Sequence, residues 1–214
     1  MEKINAILFD FDGTLADTMH DLFLAWEKAF KYFEIEIKKE DYFPLEGMKV
    51  LEIAKTISKK YNLSTDPLKI LELKNKYYLE KHSFSLYPGV LDLISLLKNK
   101  GVKIGIVSAS PLEKLENTVP KEFLSKFNAV ISGDDTKEGK PNPEPYLTAM
   151  KKLNVFPSEC VVIENAPLGI KAAKASGAYC IAITTTLKKE FLQEADEIFN
   201  NIKEVLYLIK KNYL

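Results

Sequence analysis

The chain has 214 residues, 46% of them hydrophobic, with 30 basic and 30 acidic side chains and a formal net charge of zero. That length supports a large core, or a core with a smaller second unit. The balanced charge gives no support to sequence-independent nucleic-acid binding, and no apolar run reaches the ~18 residues expected of a membrane-spanning helix. All the basic residues are lysines, so the usual bidentate arginine clamp for phosphate is missing. Cys160 and Cys180 lie inside apolar runs and read as buried, reduced thiols. The N-terminus enters a strand without a signal-peptide pattern, so the expectation is a cytoplasmic protein with no membrane partner.

In chain order, Ile4 to Phe9 is short and almost continuously apolar, as a strand buried on both faces of a parallel sheet would be. It ends in Asp10-Phe11-Asp12-Gly13-Thr14, where Gly13 lets the chain turn sharply and lets backbone N–H groups approach an anion. From Thr18 to Phe33 the period becomes helical, with Leu22, Phe23, Trp26, Ala29, Phe30 and Phe33 on one stripe. Helical patterns follow at 50–61 and 67–82, with no convincing strand between 17 and 85. Past Pro88-Gly89, helix and strand alternate. Helices are expected at 91–100, 112–127 (broken near Pro120), 145–153, 168–176 and 202–211. Strands are expected at 102–107, 129–131, 160–163 and 178–183. This is a doubly wound parallel α/β sheet interrupted by an inserted all-helical block. The expected domains are 1–16 with 86–214 as the α/β core, and 17–85 as a cap over the first strand's end.

Four segments place chemistry at the carboxyl edge of such a sheet. They are Asp10 and Asp12, Ser108-Ala109-Ser110, Lys140 within Gly139-Lys140-Pro141-Asn142-Pro143, and Glu164-Asn165. Parallel strands bring these groups to one edge although they are distant in sequence. Carboxylates, a hydroxyl, a lysine and an acid–amide pair together suit a phosphoryl group held with Mg²⁺, because hard oxygen ligands bind the metal and lysine neutralises phosphoryl oxygens.

On these four segments in this order, the sequence resembles the haloacid dehalogenase superfamily, in its β-phosphoglucomutase-like subgroup with a helical cap. The resemblance covers essentially the whole chain and implies a sheet order of 3-2-1-4-5. It implies that Asp10 is the nucleophile forming an aspartyl-phosphate and Asp12 the general acid/base. Ser108, Ala109 and Lys140 would hold phosphate oxygens. Mg²⁺ would be bound by the Asp10 carboxylate, the Asp12 main-chain carbonyl and Glu164-Asn165. The pattern usually ends Glu-Asp, so Asn165 removes a charge, although an amide oxygen still ligates Mg²⁺.

The implied function is Mg²⁺-dependent hydrolysis of a small phosphomonoester, a sugar phosphate or a phosphoglycolate-like compound. A sugar-phosphate mutase is the first alternative. Against the mutase pattern, the cap arginine position falls on Val50 beside Lys49, and the cap histidine position falls on Leu22. Carbon–halogen hydrolysis is disfavoured by Asp12. A non-catalytic binding protein is disfavoured by the intact first three motifs. His20 reads as a surface or lid residue, Trp26 as cap core, and Asp134-Asp135 as a surface loop. Nothing in the pattern sets an oligomeric state.

Overall fold

The computed structural model describes residues 4–212. In chain order its elements are β1 (Ala6–Phe9), α1 (Met19–Lys31), α2 (Lys39–Tyr42), α3 (Val50–Lys60), α4 (Pro67–Lys81), α5 (Val90–Asn99), β2 (Lys103–Val107), α6 (Leu112–Thr118), α7 (Lys121–Leu124), β3 (Ala129–Ile131), α8 (Glu144–Leu153), β4 (Cys160–Glu164), α9 (Pro167–Ala175), β5 (Tyr179–Ile183), β6 (Glu197–Phe199) and α10 (Ile202–Asn212). The six strands form one parallel sheet in the order β3-β2-β1-β4-β5-β6. The expected order therefore holds and is extended by β6. That strand is three half-buried residues in a polar surround, too short for an alternating signal. The helix α2 and the 3₁₀ turn after it, Phe43–Leu45, are likewise additions to the sequence reading.

Alternation along β1 divides the core into two layers. Ile7 and Phe9 pack with Ile104, Ile106, Val161 and Ile163 against α5 and α10. Ala6 and Leu8 pack with Val162 and Cys180 against Tyr146, Ala149 and Met150 of α8 and Ile170, Ala172 and Ala173 of α9. Period-two side chains on a sheet covered on both faces require this arrangement. Both cysteines are buried and unpaired, as expected.

The helical block follows β1 directly and has its own apolar cluster, centred on Trp26, Phe30, Tyr42, Ile57, Ile70 and Tyr78. Trp26 is fully buried and stacks on Phe30, 6.1 Å between ring centroids. Removing it would cost about 3–5 kcal/mol by the usual cavity penalty for a large aromatic. The chain enters and leaves this block through two paired segments: the Asp17 N–H donates to the Ser85 carbonyl (2.8 Å) and the Tyr87 N–H to the Leu15 carbonyl (3.0 Å). Both crossings lie just beyond the end of β1, which brings the block over that strand's carboxyl end. No helix among the described residues is long and apolar enough to cross a membrane.

Candidate active site

The ladder between β1 and β4 continues one residue past β1, where the Asp10 N–H donates to the Ile163 carbonyl (3.0 Å). The chain then turns tightly, and the Phe11 carbonyl accepts from the N–H groups of Thr14, Leu15 and Ala16. Gly13 has φ +85°, and a side chain there would run into the Asn165 amide. Only glycine meets both demands at low cost.

Asp10, Lys140 and Glu164 meet in a buried triad. The Lys140 ammonium donates to Asp10 Oδ1 (2.6 Å), Glu164 Oε1 (2.7 Å) and the Val107 carbonyl (3.2 Å), which uses all three of its protons. Glu164 is equally committed. The Tyr146 hydroxyl also donates to its Oε1 (2.8 Å), and the N–H groups of Asn165 and Ala166 donate to its Oε2 (2.8 and 3.1 Å). The triad carries one more carboxylate than ammonium, and Asp10 Oδ2 is buried without any hydrogen-bond partner. Burial pushes the Asp10 carboxyl well above its usual range; Lys140 pulls it down, and Glu164 pushes it further up. The two carboxylates and the bonds they make hold Lys140 charged, against its own burial.

An orphaned carboxylate oxygen next to surplus negative charge fits a hard divalent cation. The amide of Asn165 is fixed from both ends, accepting from the Thr14 hydroxyl at Oδ1 (3.0 Å) and donating from Nδ2 to Thr186 Oγ1 (2.9 Å). Its oxygen keeps a lone pair, whereas both Glu164 oxygens are already engaged. Among the described residues no group of three or more His, Cys, Asp or Glu side chains is arranged as a metal site. The free Asp10 oxygen and the Asn165 amide oxygen are donors of the kind that suits Mg²⁺, which binds through few protein oxygens and keeps several waters.

Asp12 turns away from the triad towards the helical block. The Thr18 hydroxyl donates to its Oδ1 (2.6 Å), the Ser110 hydroxyl donates to its Oδ2 (3.3 Å), and the Lys114 ammonium lies 3.5 Å from the same oxygen. Lys114 also donates to the Ser110 hydroxyl (2.8 Å). Ser108 is buried and its hydroxyl accepts from the Ser110 N–H (3.1 Å), while half-buried Ala109 faces two small cavities. One of these, about 20 Å³, lies between Asp12, Ala109, Ser110 and Lys114 below and Leu22, Trp26, Glu46, Val50 and Lys74 above. It has room for about one water, so the block is closed over the site.

Every sequence-expected site residue thus reaches this edge. The sequence gives no site role to Lys114, Tyr146, Thr18, Glu46 or Lys74, and Thr14 enters it only as the end of the Asp10–Thr14 motif. A weak signal existed for two of them: Lys114 follows Ser110 by four residues, and Lys74 stands four residues from both Ile70 and Tyr78, on the apolar stripe of its helix. His20 is exposed and Trp26 buried, as read from sequence. Asp134 accepts from the Leu112 N–H at the start of α6, and Asp135 accepts from Ser132, so both serve their loop.

Residues 7–183 match the family model of the haloacid dehalogenase-like hydrolases. The chain belongs to that family. Among relatives of this haloacid dehalogenase-like hydrolase, validoxylamine A 7'-phosphate phosphatase of Streptomyces hygroscopicus subsp. limoneus is 32% identical over 200 residues, 92% of this chain and 94% of that protein. Protein SUPPRESSOR OF QUENCHING 1, chloroplastic, of Arabidopsis thaliana is 34% identical over 90% of this chain, which spans only 19% of that longer protein. A solved structure of a candidate beta-phosphoglucomutase from Bacteroides vulgatus superposes with a TM-score of 0.86 at 31% identity, covering 97% of this chain and 88% of that one.

Proposed function

We propose that this hydrolase is a Mg²⁺-dependent phosphatase acting on a small phosphomonoester, such as a sugar phosphate, through an aspartyl-phosphate on Asp10. The observation that carries the reading is the Asp10 carboxylate: buried at a strand's end, one oxygen on Lys140, the other without a partner. The named phosphatase among its relatives supports it.

Asp10 attacks phosphorus as the bond from phosphorus to the leaving oxygen breaks, and Asp12 gives its proton to that oxygen. Asp12 then takes a proton from water as the water oxygen attacks phosphorus, which frees Asp10 and inorganic phosphate. Ser108, with the backbone around Ala109, holds the phosphoryl oxygens, where preorganised donors stabilise developing charge, and Lys140 joins them by giving up its long bond to the Val107 carbonyl. Bound Mg²⁺ would neutralise the phosphoryl group and the Asp10 carboxylate. Glu164 positions Lys140 and balances its charge. Asn165, whose amide oxygen keeps a lone pair, would hold the metal in preference to Glu164. The helical block acts as a cap that opens to admit substrate and closes to exclude water. Two buried, unpaired thiols suit a cytoplasmic enzyme.

A panel of phosphorylated metabolites, read by phosphate release with Mg²⁺ and again with chelator, tests the reading. Metal-dependent release from at least one sugar phosphate is expected. No release from any member would remove the proposal.

A further inference from the structure

Asn165 follows β4 and is fully buried. Two hydroxyls from distant parts of the chain hold its amide. The Thr14 hydroxyl, in the turn after β1, donates to Oδ1 (3.0 Å), and Thr186 Oγ1, in the loop after β5, accepts from Nδ2 (2.9 Å). The two oxygens of a carboxylate are equivalent, whereas an amide is an acceptor at one end and a donor at the other. An aspartate here would meet a cation equally well with either oxygen. Asparagine has to turn its oxygen towards the cation, because the reversed amide presents N–H groups that a cation repels.

Packing around Nδ2 sets that direction. A side chain at Gly13 would collide with Nδ2 and come within 2.8 Å of Thr186 Oγ1, so the amide nitrogen and the Thr186 hydroxyl lie together against the turn that follows Asp12. The loop that carries Thr186 is anchored independently of Asn165. The Thr185 hydroxyl donates to the Gly13 carbonyl (2.5 Å), and the Thr184 N–H donates to the Phe199 carbonyl at the end of β6 (3.0 Å). Thr186 is therefore placed by its neighbours and waits for the amide, rather than being drawn in by it.

We propose that Thr186 is a positioning residue: it holds Nδ2 so that the Asn165 oxygen is left to face the metal. The assignment rests on the reading above in which Asn165 holds Mg²⁺. It makes a neutral amide a usable donor at a position where the pattern usually carries an acid. A buried N–H2 without an acceptor is costly, so loss of the Thr186 hydroxyl would favour any rotation that finds the nitrogen another partner. The oxygen would lose its direction with it. Removing a residue that orients a metal ligand typically costs about 10- to 100-fold in metal affinity.

The test reads Mn²⁺ binding to the substrate-free protein, from the electron paramagnetic resonance signal of the unbound ion, so it needs no turnover. Mn²⁺ shares the preference of Mg²⁺ for oxygen donors. Thr186→Val keeps the branched shape and removes the acceptor. Thr186→Ala removes it without bulk and serves if valine disturbs the fold, which melting curves show. Either should weaken Mn²⁺ binding about 10- to 100-fold. Thr186→Ser keeps the hydroxyl and should bind like wild type. Combined with Asn165→Asp, the same removal should cost far less, because either carboxylate oxygen can serve. A merely structural threonine would cost as much with Asn165→Asp as without it, and that result overturns the proposal, as does a Thr186→Ser that binds no better than Thr186→Val. Asn165→Ala separates the proposal from the reading beneath it. If Asn165→Ala weakens Mn²⁺ binding while Thr186→Val and Thr186→Ala do not, the proposal alone falls. If Asn165→Ala binds like wild type, or wild type binds no Mn²⁺, the metal reading of Asn165 falls and takes the proposal with it.

Discussion

The Glu164 carboxylate lies in the space that a side chain at Gly169 would fill. Helix α9 can run this close to the end of β4 only because residue 169 is glycine, and Glu164 is thereby pressed onto Lys140 and Tyr146. Gly169→Ala should displace the carboxylate while barely disturbing the helix, since alanine is the better helix former. A fall in kcat/KM of about 10- to 100-fold is expected, the cost of charged hydrogen bonds lost at Lys140. Circular dichroism should be unchanged. Full activity in a folded Gly169→Ala would show that Glu164 does not position Lys140.

The two aspartates should separate cleanly. Asp10→Asn is isosteric but cannot form the acyl-phosphate, so turnover should vanish with the fold intact. Asp12→Asn keeps the nucleophile and loses proton transfer, typically worth about 10²–10⁴-fold. Its phosphoenzyme should accumulate, because breakdown needs the base. Intact-mass spectrometry after mixing with substrate should show one added phosphoryl group on Asp12→Asn and none on Asp10→Asn. Residual turnover in pure Asp10→Asn would discard the covalent mechanism.

Metal dependence should expose the amide at position 165. Chelator should abolish activity and Mg²⁺ restore it. Asn165→Asp adds a charge to the same sheet edge that carries the unpartnered Asp10 oxygen, so the Mg²⁺ concentration for half-maximal activity should fall. Asp loses the bond from Nδ2 to Thr186, so a slightly lower melting temperature should accompany the change. A half-activation concentration that stays or rises would mean that residue 165 does not touch the metal.

The site's skeleton was legible because parallel strands put their carboxyl ends on one edge, so Asp10, Ser108 and Glu164 could be grouped before any distance was known. Partners inside that group were less legible. The resemblance leaves the metal donor open between Glu164 and Asn165, and the four hydrogen bonds of Glu164 go to Lys140, Tyr146 and two backbone N–H groups. Sequence shows that an acid closes β4, but the choice between a cation and a metal is made by α8, which delivers Tyr146. Lys74 was lost among the other lysines of α4, although its spacing from Ile70 and Tyr78 puts it on the buried face. β6 escaped because three residues carry too little pattern.

Phosphatase and mutase should be told apart by the acceptor. A mutase must hold a bisphosphate and shield it from water. Lys49, the basic residue nearest the expected cap arginine, donates one proton to the Thr136 carbonyl (2.6 Å) and packs on Gly139, so it is held to the loop that carries Lys140. Val50 and Leu22 contribute only apolar surface to the cavity, whose cations, Lys74 and Lys114, are point charges without arginine's bidentate fork. β-Glucose 1-phosphate supplied with its 1,6-bisphosphate should therefore yield inorganic phosphate or nothing, and little glucose 6-phosphate. Efficient glucose 6-phosphate formation would make the protein a mutase that manages without arginine.

Lys74 should also leave a mark on stability against pH. Its folded pKa, about 7, lies below the ordinary lysine value of 10.5. Between those values the unfolded chain binds the extra proton, so stability rises with pH; it is lost again as pH falls towards 7. Lys114 strengthens this effect, while Asp12 and Glu46 oppose it. Glu46 itself titrates near 7, so the comparison belongs above that range, at about pH 8 to 10. Wild type should gain stability there relative to Lys74→Met, whose buried side chain carries no proton. Methionine keeps the packing of a side chain that is 1% exposed and removes its buried charge, so Lys74→Met should melt higher than wild type at the low end of the range, and the gap should shrink as pH rises. A gap that stays constant from pH 8 to 10 would mean that Lys74 keeps its proton in the folded protein, held by a carboxylate partner in solution.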